Sequence, residues 1–276
     1  TGFAWTPTGP LVHADGRMWQ EGLDGTAGPV WNGAPLALHH AATTWGDRQV
    51  ALSASVVDGR VVDGVVVVED GVLATHWQTS DAIDLASLPP ERSAYWERRF
   101  PVADDITHAN AVSVLDDGLA LVSLRWLDSV WAVDLVSGDV RWWLGRRGPE
   151  GVTGMAWPTV DPVIGQHDAR WVDGSRVAVF DNGPVDTPSR GVVLHLDPSA
   201  GQAEVVLELP LERHCNIQGS VAPVDGGWLV TCAAPGLVTR FDDAGAWLGE
   251  VQLMCPDGQG VLVARAEPVD GEPGGG

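Results

Sequence analysis

Three histidines stand just ahead of predicted strands, each inside a segment rich in polar side chains. They are His108 in residues 105–112 (DITHANAV), His167 in residues 165–170 (GQHDAR) and His214 in residues 213–220 (RHCNIQGS). A neutral imidazole is a nucleophile near neutral pH and can also carry a proton. Asn110, Asp168, Asp181, Asn182 and Arg190 accompany the histidines. Imidazolium, guanidinium and amide donors held in place stabilise charge that develops on the oxygens of a transferring group. The set therefore suits the binding or transfer of a small anion. A metal site built from His108, His167 and Asp168 is the competing chemistry. No HxH or HExxH spacing supports it, and no metal or other cofactor is expected. GxSxG, Walker and dinucleotide-binding motifs are absent from the chain. His195 lies within an alternating strand and reads as structural. His39, His40 and His76 fall in the N-terminal half, where the pattern is least readable, and are weaker candidates.

The elements that must position these groups are strands. Residues 176–180 (RVAVF) and 191–196 (GVVLHL) read as antiparallel neighbours, and Asp173-Gly174 is a tight turn leading into the first. The same unit recurs: an apolar strand, a Gly/Asp turn, another strand, then a second turn. The turn falls at Asp15-Gly16, Gly46-Asp47, Asp117-Gly118, Asp173-Gly174, Asp225-Gly226 and Asp257-Gly258. Each good unit supplies about four short strands, the signature of a β-propeller blade. The six turns predict an all-β, six-bladed β-propeller over residues 1–266, with the first two blades least regular. Ring closure should pair strands from the two ends of the chain, and a β-sandwich pair is the alternative. In a propeller, the residues before each innermost strand line the channel mouth, where the three histidines would meet.

Composition narrows the partners. The chain has 276 residues, 34 Gly, 19 Pro and a net charge of −21. No stretch reads as a capped helix. Nucleic acid and anionic membranes are poor partners for such a charge. All 16 basic residues are arginine, so an anionic ligand needs a local cluster of Arg and His. No signal peptide or membrane-spanning segment is evident, and the oligomeric state is left open. Cys215, Cys232 and Cys255 lack metal-like spacing. Three buried thiols are the first expectation, with a Cys232–Cys255 disulfide the alternative in an oxidising compartment. Most tryptophans, including Trp126, Trp131, Trp142, Trp143, Trp171, Trp228 and Trp247, are expected to pack blade against blade. Residues 81–99 read as a connecting loop, and the acidic Gly/Pro tail 267–276 as disordered.

Several segments carry a resemblance. DITHANAVSVL resembles the strand entry of the PAPS-independent arylsulfotransferase family. LVSLRWLDSVWAVDLVSGDVRWWLG is similar to that family's next segment, with Arg125 after a Ser-containing strand. GQHDAR, VAVFDNG and SRGVVLHLD follow the family's order, and NIQGSVAPVDGGWLV resembles its Gln-Gly-Asn-Val segment. The match runs over roughly residues 104–253. It implies a six-bladed propeller and sulfuryl transfer from an aryl sulfate to a phenol through a sulfated histidine, without nucleotide or metal. His108 and Asn110 match the first motif, His167 the second, and Asn182 and Arg190 the Asp-Asn-Gly and Ser-Arg motifs. His214 stands in the later blade where the family carries its nucleophile. The resemblance implies His108, His167, His214 and Arg190 as catalytic groups and Asn110, Arg125 and Asn182 as substrate-binding ones. It also implies an aromatic or sulfate-bearing small-molecule ligand and a periplasmic or extracellular location. The alternative is a non-catalytic propeller that binds a small anionic or aromatic ligand in its channel.

Overall fold

The computed structural model describes residues 2–6, 9–14, 17–22, 24, 26–28, 30–88, 100, 103–159, 163–254, 263 and 265–266. The described chain is almost wholly β, as the lack of capped helical patterns predicts; its only helical pieces are 3-10 turns at Thr79–Asp81, Leu85–Ser87 and Arg125–Leu127.

The strands form consecutive meanders. The first sheet comprises β1 (Gly2–Thr6), β2 (Gly9–Ala14), β3 (Arg17–Gln20) and β4 (Trp31–Asn32). The second comprises β5 (Ala37–Trp45), β6 (Arg48–Val57), β7 (Arg60–Glu69) and β8 (Val72–Gln78), with β9 (Asp104–Asp105) paired parallel to β7. The third comprises β10 (Ala109–Val114), β11 (Leu119–Leu124), β12 (Ser129–Asp134) and β13 (Val140–Gly145), with β14 (Thr153–Met155) added at its edge. The fourth comprises β15 (His167–Trp171), β16 (Arg176–Asp181), β17 (Arg190–Asp197) and β18 (Gln202–Pro210). The fifth comprises β19 (Ser220–Val224), β20 (Gly227–Cys232), β21 (Leu237–Phe241) and β22 (Trp247–Gln252). The first strands of neighbouring sheets, β1, β5, β10, β15 and β19, touch one another in turn, so the sheets are blades of a β-propeller around a common axis.

The described residues make five blades, not the six that the turn count predicts. Four of the turns, at Gly46-Asp47, Asp117-Gly118, Asp173-Gly174 and Asp225-Gly226, join the first two strands of blades two to five. Asp15-Gly16 separates β2 from β3 instead, so that turn does not mark the same place in a blade, and it lies outside the described residues. Asp257-Gly258 and the tail 267–276 also lie outside the described residues, as does most of the loop predicted over 81–99. Each described sheet is built from consecutive strands, with no pairing between the two ends of the chain. Most of the C-terminal residues that the expected ring closure would draw on lie outside the described residues.

Both faces of an inner blade are covered, which explains why the valines of β7 run consecutively on either side of Asp63-Gly64 rather than alternating with polar residues. Val61, Val62, Val65, Val66, Val67 and Val68 are all at most 1% exposed. Val66 and Val68 pack with Leu11, Met18 and Trp31 of the first blade. Val65 and Val67 pack with Val112, Val122 and Trp131 of the third. Trp131 is buried and meets Trp77 edge-on at 6.4 Å, while Trp142 meets Trp171 at 5.9 Å. These are the blade contacts expected of the tryptophans. Trp247 is the exception, because it lies on the outer strand of blade five and is 64% exposed. Gly219 (φ +121°) is required on two counts: its backbone is left-handed, and a Cβ there would lie 2.3 Å from Phe180.

The cysteine expectation is also corrected. Cys215 and Cys232 form a disulfide, with Cα atoms 5.5 Å apart, and Cys255 lies outside the described residues. The bridge ties the loop before β19 to the end of β20. It closes a separation of 17 residues, for which chain entropy gives about 3 kcal/mol of stability. Denaturant unfolding of Cys215→Ser with Cys232→Ser should show a loss of about that size. An unchanged midpoint would mean that the bridge does not constrain the unfolded chain.

Candidate active site

The inner strands share one irregularity. β5, β10 and β15 each carry a bulge against their partner, at His39/Ala42, Ala109/Ala111 and His167/Arg170. Within or just ahead of each bulge one non-glycine residue is left-handed: His40 (φ 49°) and Asp168 (φ 53°) within theirs, and His108 (φ 49°) immediately before β10. Gln218 (φ 51°) holds the same conformation just before β19. Such a residue is uncommon outside glycine and costs strain, which the surrounding sheet must hold. The bulge turns a side chain out of the pleat alternation toward the strand's end. The result is a group of imidazoles from successive blades. The His40 and His108 rings lie 5.2 Å apart, and His39 and His40 lie 5.1 Å apart. His40 interacts electrostatically with His13, His39, His108 and His167.

His167 is oriented by a chain of fixed donors. Asn182 Nδ2 donates to the carbonyls of Cys215 (2.6 Å) and Gln218 (2.9 Å), which makes Oδ1 the atom that faces His167. His167 Nδ1 lies 2.6 Å from that Oδ1, so Nδ1 carries the hydrogen. Nε2 then holds the lone pair, and the Gly165 backbone is a further polar partner of the ring. Burial is the main cause that lowers the His167 pKa to about 3, and the Arg125 charge adds to it. The ring is therefore neutral at pH 7.

His108 is held differently. Its Nδ1 lies 2.6 Å from Asp105 Oδ2, and Trp126 Nε1 donates to the same oxygen at 3.0 Å. This is a buried imidazole–carboxylate pair, suited to carrying a proton. Arg125 stacks on Trp126, with its guanidinium carbon 4.9 Å from the ring centroid. Its Nε is buried without a hydrogen-bond partner among the described residues. Burial lowers the Arg125 pKa, while Asp105 and Asp128 act to raise it. Asn110 crosses between blades, donating from Nδ2 to the Gln166 carbonyl at 2.7 Å.

The remaining expected residues are engaged in other contacts. Arg190 pairs with Asp181 (3.0 Å) and Glu208 (3.3 Å). Asp181 also accepts from the amides of Ile164 and Gly183, so the pair braces the loop beside Asn182. His214 Nδ1 faces the Thr187 carbonyl at 3.1 Å, which is its one described polar contact. Asp168 pairs with Arg170 and Arg265 and accepts from the Val221 amide. Among the described residues, no three His, Cys, Asp or Glu side chains form a group able to hold a metal ion. The structure thus joins His108 and His167 with Arg125, and adds His13, His39 and His40. By sequence, His39 and His40 were weaker candidates and His13 was not among the candidates. The available signal was positional: His40 precedes the Gly46-Asp47 turn at the head of an inner strand, as His108 precedes Asp117-Gly118.

The sequence model of the arylsulfotransferase (ASST) family matches residues 72–252, more than half of the chain. The chain belongs to that family. His13, His39 and His40 precede the matched stretch, which is why the family wording did not reach them. No curated protein matches the chain. Among solved structures, apo AztD from Citrobacter koseri is similar at 14% identity and a TM-score of 0.45, over 95% of this chain and 73% of that one. Hsv2 from Kluyvelomyces marxianus is similar at 11% identity and a TM-score of 0.47, over 92% and 72%. A luciferin-regenerating enzyme is similar at 10% identity and a TM-score of 0.48, over 94% and 76%. None of these three bears on what this chain does.

The buried rings make stability depend on pH. His13 falls to about 4 and His167 to about 3, both chiefly through burial, and His40 is lowered well below its ordinary value. Below pH 6.5 the unfolded chain takes up protons that these folded rings refuse. Stability is therefore full above that pH and is lost as pH falls toward the folded values. Asp128 and Asp181, raised by burial, act with the opposite sign at the acid end. Denaturant titrations should show a loss on the order of a few kcal/mol between about pH 7 and pH 4. Replacing His167 with Gln should flatten that slope. A slope equal in wild type and variant would mean that His167 titrates alike in both states.

Proposed function

We propose that the protein transfers a sulfuryl group from an aryl sulfate to a phenol, with His167 as the nucleophile. The observation that carries this reading is the His167–Asn182 pair, which holds a neutral imidazole with its lone pair at Nε2. In the first step Nε2 attacks sulfur, the sulfur–oxygen bond breaks, and the phenolate leaves with the electron pair. A protonated His108, paired with Asp105, gives that phenolate its proton. In the second step neutral His108 takes the proton of an incoming phenol. The phenol oxygen then attacks sulfur, and the sulfur–nitrogen pair returns to His167. Charge on the three peripheral oxygens is spread as in phosphoryl transfer, and Arg125 and the nearby imidazoles offset it.

The same reading gives supporting roles to the other expected residues. Asn182 and Asn110 hold His167 and its strand in place. Arg190 and His214 brace the loop around Asn182 through Asp181 and Thr187. The disulfide is consistent with an extracytoplasmic protein, since such bridges persist in oxidising compartments. Aryl sulfates with phenolic acceptors are the ligand class this reading requires.

Mixing the protein with nitrophenyl sulfate, quenching and mass mapping should find a sulfuryl adduct on His167. His167→Ala should abolish both adduct and transfer. Arg125→Ala should lower turnover by about 100-fold or more, the scale for losing one charge-stabilising donor. Tight binding with neither adduct nor phenol release would instead make this a propeller that binds aryl sulfates without turning them over. An adduct on His214 would move the nucleophile to the position that the family resemblance first suggested.

A further inference from the structure

Asp168 directly follows the proposed nucleophile, and it is held from three parts of the chain. It is buried and left-handed, and it lies within the bulge between His167 and Arg170 where β15 pairs with β16. Arg170, on the same strand, meets its carboxylate twice, with Nε on Oδ2 and Nη2 on Oδ1, each at 3.0 Å. The Val221 amide of β19, in blade five, donates to Oδ2 at 3.1 Å. Arg265, which follows the last strand in sequence, places Nη2 2.5 Å from Oδ1. Two residues before it, the Val263 amide donates to the Ala233 carbonyl at 3.1 Å, next to Cys232 of the disulfide.

We propose that Arg265 is a positioning residue for His167: it clamps Asp168 from blade five, and so holds the bulge that aims the His167 ring. The effect on turnover rests on the sulfuryl-transfer reading, whereas the effect on the ring does not. A left-handed aspartate relaxes toward the extended region unless its surroundings hold it. Arg170 cannot supply that restraint alone, because it rides on the same strand two residues away and moves with it. The restraint must come from outside β15. Among the described residues the donors from outside are the Val221 amide and Arg265.

Arg265 is the stronger of the two. A guanidinium on a carboxylate makes a charge-assisted contact, shorter and stronger than one from a neutral amide. Its side chain is 28% exposed and that of Asp168 is 4% exposed, so water screens the pair less than it screens a surface ion pair. Neutralising the carboxylate does not require Arg265, because Arg170 already meets both oxygens. What Arg265 adds is a tie between two blades at the residue beside the nucleophile.

This tie complements the one on the ring itself. Asn182 fixes His167 Nδ1, the Cys215 carbonyl fixes Asn182, and Cys215 is bridged to Cys232. Val263 seats on Ala233, the residue after Cys232. The His167 side chain and the backbone that follows it are thus held from one short part of blade five. Without Arg265, relaxation at Asp168 competes with the Asn182 contact, and the ring takes more than one orientation.

The test compares Arg265→Gln and Arg265→Lys with wild type in the full chain. Lysine keeps the charge and a donor for Oδ1, while glutamine loses the charge. Nitrogen-15 NMR of histidine-labelled, ligand-free protein reads the ring, with the His167 signals assigned by their loss in His167→Gln. Wild type should show one sharp pair of ring nitrogens, Arg265→Gln a broadened or doubled pair, and Arg265→Lys the wild-type pair. With nitrophenyl sulfate and a phenol, kcat should fall by about 10-fold to 100-fold in Arg265→Gln, the scale for a small misplacement of a reacting group. KM should change little, since the contact is not made to substrate, and Arg265→Lys should restore kcat. Adding Arg265→Gln to Asp168→Asn should lower kcat no further than Asp168→Asn alone, because the two side chains act as a unit. His167 signals in Arg265→Gln identical to those of wild type overturn the clamp, whatever kcat does. Altered signals with an unchanged kcat overturn the positioning role. An equal loss in Arg265→Lys and Arg265→Gln, or an additive loss in the double variant, overturns the contact with Asp168 as the cause. Altered signals in Arg265→Gln, with no sulfuryl transfer by wild type either, leave the clamp standing and remove the sulfuryl-transfer reading.

Discussion

One left-handed residue within or just ahead of a bulge, at each of three inner strands, is the constraint on which the site depends. A pleated strand points alternate side chains to opposite faces of its blade, and both faces are already filled by neighbouring blades. No regular strand position is left for a polar group at the axis. The alternation breaks at His40 and Asp168 within their bulges, and His108 stands immediately ahead of the bulged β10; the blade contacts on either side hold the strained residue in place. The core of valine and tryptophan between blades is thus the support that keeps an unfavourable backbone state occupied.

Placing several imidazoles together carries an electrostatic consequence. Each ring makes protonation of the next one harder, and burial works in the same direction for His13, His40 and His167. The net charge of −21 does not reverse this, because the surface acids face water while Asp63 and Asp105 are the buried carboxylates in contact with the group. Each of these carboxylates is assigned to one ring, Asp63 to His39 and Asp105 to His108. His167 is given an amide instead of a carboxylate. A carboxylate favours the imidazolium, whereas an amide oxygen fixes the tautomer without adding charge. That difference in partner separates a ring suited to carry a proton from one suited to attack.

Much of this was legible in sequence, for identifiable reasons. The turn at Asp173-Gly174 and the strands around it appear where alternation and β-branching predict, with Arg190 set opposite Asp181 in the β16–β17 register. His108 and His167 were found because they recur at one place in a repeating unit. The blade count was not legible, since Asp15-Gly16 carries the same dipeptide as the other turns but lies between different strands. His40 was hidden by weak repetition in the N-terminal half, and Asp63 by its setting in a valine run, where no local pattern marks a carboxylate that meets a distant histidine. The pairing of Cys215 with Cys232 needs the β19–β20 hairpin, because residues 17 apart in the chain are brought together only by that register.

The orientation of His167 also ties the site to the rest of the propeller. Asn182 belongs to blade four, but both carbonyls that fix its amide, those of Cys215 and Gln218, belong to the segment entering blade five. Cys215 is anchored twice, by the bridge to Cys232 and by its own amide donating to Ser189 Oγ at 2.8 Å. Ser189 Oγ in turn donates to the Asn182 carbonyl. The loop that presents Asn182 and the loop that orients it therefore close on each other through Ser189. A shift of blade five against blade four would first disturb the Asn182 amide, and only through it the lone pair of His167. The orientation of His167 is in this sense a readout of how two blades pack, and the disulfide fixes the strand entry on which that packing bears.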